Sequence, residues 1–207
     1  MEIRLSLIIN TAAGDPYVAQ IGNLYRRSAY GQRANLLRQI LRTGAPGFDE
    51  VIVAGVPPTG LAEEFPDVHL VHVPPQLRDR SDALLQREIG ARFSSGDFLV
   101  FTHDDHTPEP GFADKLRNLG FSEWDILVPE RRHALTGAVL ENGLSQGYVG
   151  GHTLVFRRPA WATTPWTTVA TGWWDRPLTR IWRSRGTRVA WTSELVHLDI
   201  EALEDER

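Results

Sequence analysis

The chain has 207 residues, 42% hydrophobic and 23% charged, which is enough for one domain with a full core and short for two. A formal net charge of -4 supplies no basic field for nucleic acid or an anionic membrane, and the absence of cysteine excludes disulfides, thiolate zinc sites and Cys nucleophiles. No apolar stretch approaches the ~20 residues that span a bilayer, and MEIRLSLIIN is too short an apolar run for a signal peptide, so the expected setting is cytoplasmic.

Residues 5–9 form a continuous apolar run and predict a buried strand, whereas 10–31 are polar and glycine-containing and read as a loop. Residues 33–42 place Ala34, Leu37 and Leu41 on one helical face, and Gly44 with Pro46 stops that helix. Residues 50–54 predict a second strand, 55–60 a Pro/Gly turn, and 68–73 a third strand. A helix over 81–93 follows from Leu85, Ile89 and Phe93 at i, i+4 and i+8, with Ser81 or Asp79 as its cap. Residues 97–102 predict a fourth strand, apolar through its middle. Strands alternating with helices imply βαβ units, and continuous apolar strands imply a mainly parallel sheet covered on both faces.

The second half is less regular. Residues 124–128 read as a strand and 130–147 as a loop-rich excursion starting at Arg131, Arg132 and His133. Residues 150–156 lead into another strand, 176–184 read as a helix, 187–191 as a strand, 196–198 as a short apolar piece, and 201–207 as an exposed acidic tail. No repeat, linker or low-complexity block divides the chain, so 1–207 is expected to be one α/β domain. Its first half, 1–112, has the pattern of a nucleotide-binding half-sheet, and 113–207 elaborates it for a second substrate.

The sharpest chemical signal is Asp104-Asp105, flanked by His103 and His106, directly after the strand at 97–102. Ligands bind at the carboxyl ends of strands in open α/β sheets. Two adjacent acids there repel unless a cation joins them, and Mn2+ or Mg2+ takes carboxylate together with diphosphate oxygens. The bland alternative is an Asp-rich turn.

With these residues in view, the segment 80–110 resembles the family 2 glycosyltransferases of the GT-A fold. Those enzymes run a helix rich in Ala, Leu and Arg into a Gly-Asp turn, an apolar strand, a DXD-type acidic motif and a Pro. This chain reads Arg80, Leu84-Leu85, Gly90-Ala91, Ser95-Gly96-Asp97, Phe98 to Phe101, His103-Asp104-Asp105, then Pro108 and Pro110-Gly111-Phe112. The pattern departs at its first acid, where His103 stands. The resemblance implies a Rossmann-like, mixed and mostly parallel GT-A sheet in a metal-dependent transferase. Asp104 would face the nucleotide ribose and Asp105 would bind the metal.

Gly150-Gly151-His152 before Phe156-Arg157 is similar to the family's glycine-rich strand on the acceptor side, so Gly151 and His152 are expected acceptor contacts. Gly172-Trp173-Trp174-Asp175, followed by a helix, resembles the Glu-Asp-x-x-Leu block, in which the Asp is the general base of an inverting displacement. Asp175 matches that base, Trp174 replaces the Glu, and Trp173 and Trp174 would contact the acceptor. Asp175 also suits a helix N-cap, and the two roles are compatible. His197 stands where some members supply a further metal ligand. For the nucleotide, the resemblance points to Asn10 and Thr11 after the first strand and to Arg80 (or Arg78) at the helix start. The acid expected after the second strand is missing from 55–58, which leaves the base open.

The leading expectation is therefore sugar transfer from a nucleoside-diphosphate donor to an acceptor hydroxyl, with Mn2+ or Mg2+. Six of the seven Trp lie at or beyond Trp161, and Trp161, Trp166, Trp173 and Trp174 offer faces for a sugar, although core packing is the commoner use of a Trp. Nucleotidyl transfer is the second enzyme class, but Thr11 to Asp15 has one Gly and no basic residue to hold a triphosphate. A non-catalytic nucleotide-sugar-binding or scaffold protein on the same fold is the alternative outside catalysis. A hydrolase is set aside because no Gly-x-Ser-x-Gly elbow occurs.

Overall fold

β1 (Leu5–Thr11) is buried along its whole length in the computed structural model, because it lies between two parallel neighbours, β2 (Glu50–Gly55) and β4 (Phe98–His103). β3 (His69–His72) continues the parallel set beyond β2. Leu5, Leu7, Ile9 and Val100 face one layer, where α1 (Ser28–Thr43) places Leu36, Leu37, Ile40 and Leu41. Ile8, Leu99 and Phe101 face the other layer, against Leu84 and Ala91 of α3 (Ser81–Phe93). Burial on both faces is what makes these strands read as unbroken apolar runs. The structure describes residues 3–14, 28–73, 81–119, 123–141, 147–164 and 175–199, with backbone alone at 28–32 and 81–82.

α3 lies close on the sheet. A Cβ at Gly90 would stand 2.7 Å from Ile8 Cγ2 and 3.1 Å from Ala54 Cβ, so glycine is needed there despite its cost in a helix interior. α1 ends at Thr43 as expected. A Cβ at Gly44 would meet Thr107 Oγ1 at 2.4 Å and the Pro108 carbonyl oxygen at 2.9 Å, so this residue also lets the chain pass close to residues 107–108.

Beyond β4 the pairing reverses. β7 (Leu154–Arg157) runs antiparallel to β4, and β6 (Ile126–His133) antiparallel to β7. β8 (Val189–Asp199) is parallel to β6, and β5 (His106–Pro108) is antiparallel to β8. The sheet order is β3-β2-β1-β4-β7-β6-β8-β5, a mixed sheet flanked by helices as expected. α4 (Phe112–Asn118) adds Phe112, Ala113 and Leu116 to the α1 layer. α6 (Asp175–Ser184) adds Leu178 and Trp182 to the α3 layer. No described helix is long and apolar enough to cross a membrane.

Several boundaries differ from the sequence reading. The loop expected over 10–31 is shorter at both ends, since Asn10 and Thr11 pair with Ala54 and Gly55 inside β1 and α1 starts at Ser28. The excursion expected from 130 begins four residues later, because 130–133 complete β6. The pieces expected at 187–191 and 196–198 are one strand, β8. Its register jumps from Pro129↔Thr192 to Glu130↔Val196, and that slip breaks the alternation that would have joined them. At 150–156 the strand starts only at Leu154. The short helices α2 (Leu61–Glu64), α4 and α5 (Arg158–Ala162) were not expected, being too short for a helical period to register.

Candidate functional site

The turn between β4 and β5 carries Asp104 and Asp105 at the carboxyl ends of the parallel strands, the edge where such sheets take ligands. Thr102 Oγ1 donates to the His106 carbonyl at 2.9 Å and closes the turn. Asp104 is fully buried: Oδ2 accepts from Thr11 Oγ1 at 2.7 Å and from the Ala12 amide at 3.3 Å, and Oδ1 pairs with Arg33 Nη1. Asp105 Oδ2 pairs with Arg33 Nη2 at 2.9 Å, and its Oδ1 lies 2.5 Å from His106 Nδ1. One guanidinium from α1 therefore bridges both acids.

The chain of alternating charge continues. His106 Nε2 lies 3.6 Å from Asp199 Oδ2, and Arg131 donates to that same oxygen through Nε at 2.8 Å and through Nη2. Burial raises the pKa of Asp104, and Arg33 and Thr11 offset this only in part. Burial also works upward on Asp105, but Arg33 and His106 outweigh it and hold that carboxyl well below its usual range. Burial pulls His106 down, yet Asp105 and Asp199 prevail and push it up to about 9, so it is an imidazolium at neutral pH. Burial likewise opposes ionisation of Asp199, and His106 and Arg131 win there too.

This predicts an alkaline loss of stability in the metal-free protein. His106 binds its proton more tightly when folded than in the unfolded chain, where the pKa is about 6.5. Its contribution is complete below about pH 6.5 and is lost as pH rises through about 9, a fall of order 3 kcal/mol. Urea unfolding at about pH 6 and about pH 9.5 should show that fall in the wild type and a much flatter profile in His106→Gln. Equal slopes in the two proteins would refute the assignment.

Beneath the acid turn lies a second polar group. Arg87 of α3 is fully buried; Nε donates to Asn10 Oδ1 at 3.0 Å, and Nη2 donates to the carbonyls of Gly151 at 2.8 Å and His152 at 2.9 Å. Burial lowers its pKa to about 9, with Asp105 opposing, which leaves a cation at neutral pH. His103 Nε2 sits 3.0 Å from the Gly151 carbonyl and must donate to it, so Nδ1 accepts from Asn10 Nδ2 at 2.7 Å. That tautomer needs a neutral ring, and burial, reinforced by Arg87, keeps the His103 pKa well below its ordinary value.

Three imidazoles meet beside Asp105. Ring centroids are 5.0 Å apart for His106–His152, 5.6 Å for His106–His197 and 6.0 Å for His152–His197. Burial and the charge on His106 hold His152 and His197 well below the usual histidine range, so both are neutral. His197 is 1% exposed, and neither of its ring nitrogens has a hydrogen-bond partner among the described residues. Leaving such a group buried costs ~1–3 kcal/mol unless a ligand satisfies it. A neutral imidazole and an ionised carboxylate are donors that Mn2+ accepts, so the chemistry of Asp105 and His197 fits a divalent cation. Among the described residues, no three His, Asp or Glu side chains converge on one metal-binding point. Arg33 and His106 hold both oxygens of Asp105 instead.

Asp175 opens α6, with Oδ1 accepting from the Arg176 amide at 2.9 Å. Thr179 Oγ1 donates to the Asp175 carbonyl at 2.7 Å and accepts from the Val149 amide at 2.9 Å. The first turn of α6 is thereby tied to the segment that leads into Gly151 and His152. Trp161 packs, partly buried, against the α3 layer, and Trp182 is buried in it with Nε1 donating to Thr164 Oγ1 at 3.1 Å. Arg78, Arg80, Trp166, Trp173 and Trp174 lie outside the described residues.

The structure thus brings Asn10, Thr11, Asp104, Asp105, Gly151, His152 and His197 to one end of the sheet. It adds Arg33, Arg87, His103, His106, Arg131 and Asp199, to which the sequence reading gave no role in the site. A signal for Arg87 was present: with Leu84 and Ala91 it lies on the inner stripe of α3, where a charge stands out.

No protein-family model matches the chain, and no curated protein matches it either. Solved structures do match. A mannosyltransferase from Pyrobaculum calidifontis, in complex with GDP-Man and Mn2+, superposes with a TM-score of 0.60 at 17% identity over 97% of this chain. The chain spans 57% of that enzyme's length. Glucosyl-3-phosphoglycerate synthase from Mycobacterium tuberculosis, in complex with Mn2+, UDP and phosphoglyceric acid, gives 0.56 at 15% identity over 95% of this chain and 70% of its own. The inositol-1-phosphate CTP transferase from T. maritima gives 0.56 at 10% identity over 96% of this chain and 89% of its own. At these identities the likeness shows the fold, which is of the GT-A type.

Proposed function

We propose that the chain transfers a sugar from a nucleoside-diphosphate donor to an acceptor hydroxyl with the help of a divalent cation. What supports this is an ionised Asp105 at the ligand edge of a GT-A sheet with His197 on the far side of the His106 ring it pairs with, buried, neutral and without a hydrogen-bond partner among the described residues. Asp105 and His197 would hold the cation, Mn2+ suiting the imidazole better than Mg2+. When bound, it neutralises the charge that develops on the leaving diphosphate. The neighbours in complex with Mn2+ and with GDP-Man or UDP support the reading.

The residues of the chain then have separable tasks. Residues 1–112 would form the donor half, with Asn10 and Thr11 shaping the acid turn, Asp104 beside the ribose and Arg80 on a phosphate. Residues 113–207 would form the acceptor half, with Gly151 and His152 lining it and Trp173 and Trp174 stacking the acceptor. Asp175 would take the proton of the acceptor hydroxyl as its oxygen bonds to the anomeric carbon and the bond to the diphosphate breaks, which inverts that carbon.

Incubation with UDP- and GDP-sugars and Mn2+ tests the reading. Release of nucleoside diphosphate supports it, whereas release of pyrophosphate from CTP with a sugar phosphate would instead favour nucleotidyl transfer. Donor binding without turnover of any kind would favour a binding or scaffold role. Asp175→Asn should lower turnover by about 100-fold or more while the affinity for nucleoside diphosphate stays unchanged. Retention of turnover within a few-fold would move the base elsewhere.

A further inference from the structure

Arg33 stands where a cation belongs. It lies in the second turn of α1, whose Leu36 and Leu37 anchor the helix in the core, and its side chain is 14% exposed. Arg33 takes one oxygen of each acid, Thr11 and the Ala12 amide take the other oxygen of Asp104, and His106 takes the other oxygen of Asp105. All four carboxylate oxygens are engaged, and a divalent ion joining Asp105 would have to sit against the Arg33 guanidinium or the His106 ring, cation beside cation.

Charge balance leads to the same point. The carboxyls of Asp104, Asp105 and Asp199 are already matched along the string by Arg33, His106 and Arg131, and Arg87 is a further cation within reach of Asp105. A divalent ion alone would add two more positive charges to this buried setting, which is costly. A diphosphate arriving with it removes that cost. A guanidinium displaced from two carboxylates is also well shaped for phosphate, which it binds through the same two-pronged geometry.

We propose that Arg33 is the internal cation of this site: it holds Asp104 and Asp105 together until a divalent cation and a diphosphate bind as a pair, and then it moves to the diphosphate. The inference rests on the donor-site reading above. It makes the binding of metal and diphosphate reciprocal, each weak alone and strong in the presence of the other. Asp105 thereby remains an ion pair rather than a bare carboxylate whenever the donor is absent.

The test follows free Mn2+ by electron paramagnetic resonance, with inorganic diphosphate as the probe so that the identity of the base is irrelevant. Arg33→Gln should bind Mn2+ alone about 10-fold tighter than the wild type, and diphosphate should then strengthen Mn2+ binding about 10-fold less than it does in the wild type. Adding Asp105→Asn to Arg33→Gln should remove the gain and so place it at this acid. If circular dichroism shows that Arg33→Gln does not fold, Arg33→Lys serves, because it keeps the charge but cannot bridge two carboxylates; an intermediate gain is then expected. Mn2+ affinity no higher than in the wild type, or undiminished coupling to diphosphate, overturns the proposal. Nucleoside-diphosphate release from sugar donors is followed separately. Its absence, with the expected Mn2+ result, would sink the transferase reading and leave the role of Arg33 standing.

Discussion

Asp105→Asn will abolish manganese-dependent binding of UDP and GDP, weakening it by at least about 100-fold, while the protein remains folded. Asp104 is tied into β1 by Thr11 and the Ala12 amide, and burial raises its pKa. Asp105 is the acid held in its charged form, with one oxygen on Arg33 and the other on His106. Asparagine keeps the shape and an acceptor for Arg33 but removes the charge that a divalent ion needs. Altering even outer-sphere partners of metal ligands costs about 10–100-fold in affinity, so losing a ligand should cost at least the upper end. Calorimetric titration of Mn2+ with UDP and with GDP, on both proteins, measures this and shows which base is preferred. Mn2+-dependent binding in the variant within about 3-fold of wild type would remove Asp105 from the metal site.

Arg87→Met should destabilise the protein by about 3–5 kcal/mol while leaving the acid turn itself untouched. Methionine replaces the aliphatic stem well enough. It leaves Asn10 Oδ1 and the His152 carbonyl without a donor, and the Gly151 carbonyl with only His103 Nε2, in the middle of the protein. Each buried acceptor left unsatisfied costs ~1–3 kcal/mol, partly relieved if the loop shifts or water enters. Urea unfolding gives the loss directly. A loss under about 1 kcal/mol would show that the segment at 151–152 holds its position without Arg87. Because the same arginine links β1 to the segment at 151–152, nucleotide binding at the proposed donor site should weaken along with stability.

The parallel half of the sheet was legible because its strands are covered on both faces, so 5–9, 50–54 and 97–102 announced themselves as unbroken apolar runs. Asp104 and Asp105 drew attention because they directly follow such a run, at the edge where these sheets take ligands, although an Asp-rich turn was the alternative. Arg33 did not, since a lone arginine near a helix start normally points to water, and only the fold shows that α1 passes over the acid turn. Asp199 and Arg131 were hidden by the register slip in β8 and β6, which made 130–133 read as loop and split the last strand in two. Asp175, at the start of α6, remains a sequence-based assignment: its place on the helix is clear, whereas Trp173 and Trp174 beside it lie outside the described residues.

The order in which β8 enters the sheet has a kinetic consequence. This strand is the last described element in the chain, and it supplies His197 and Asp199 to a turn whose own residues, 104–106, come more than 90 positions earlier. A ribosome therefore delivers the acid turn long before the groups that complete its surroundings. Until β8 docks beside β6, β5 has no strand to pair with, and His106 has only one of its two carboxylates. The parallel half can fold early around its two apolar layers, but the surroundings of the acid turn are completed late, so a nascent or C-terminally clipped chain would carry the core without the full set of groups around Asp105.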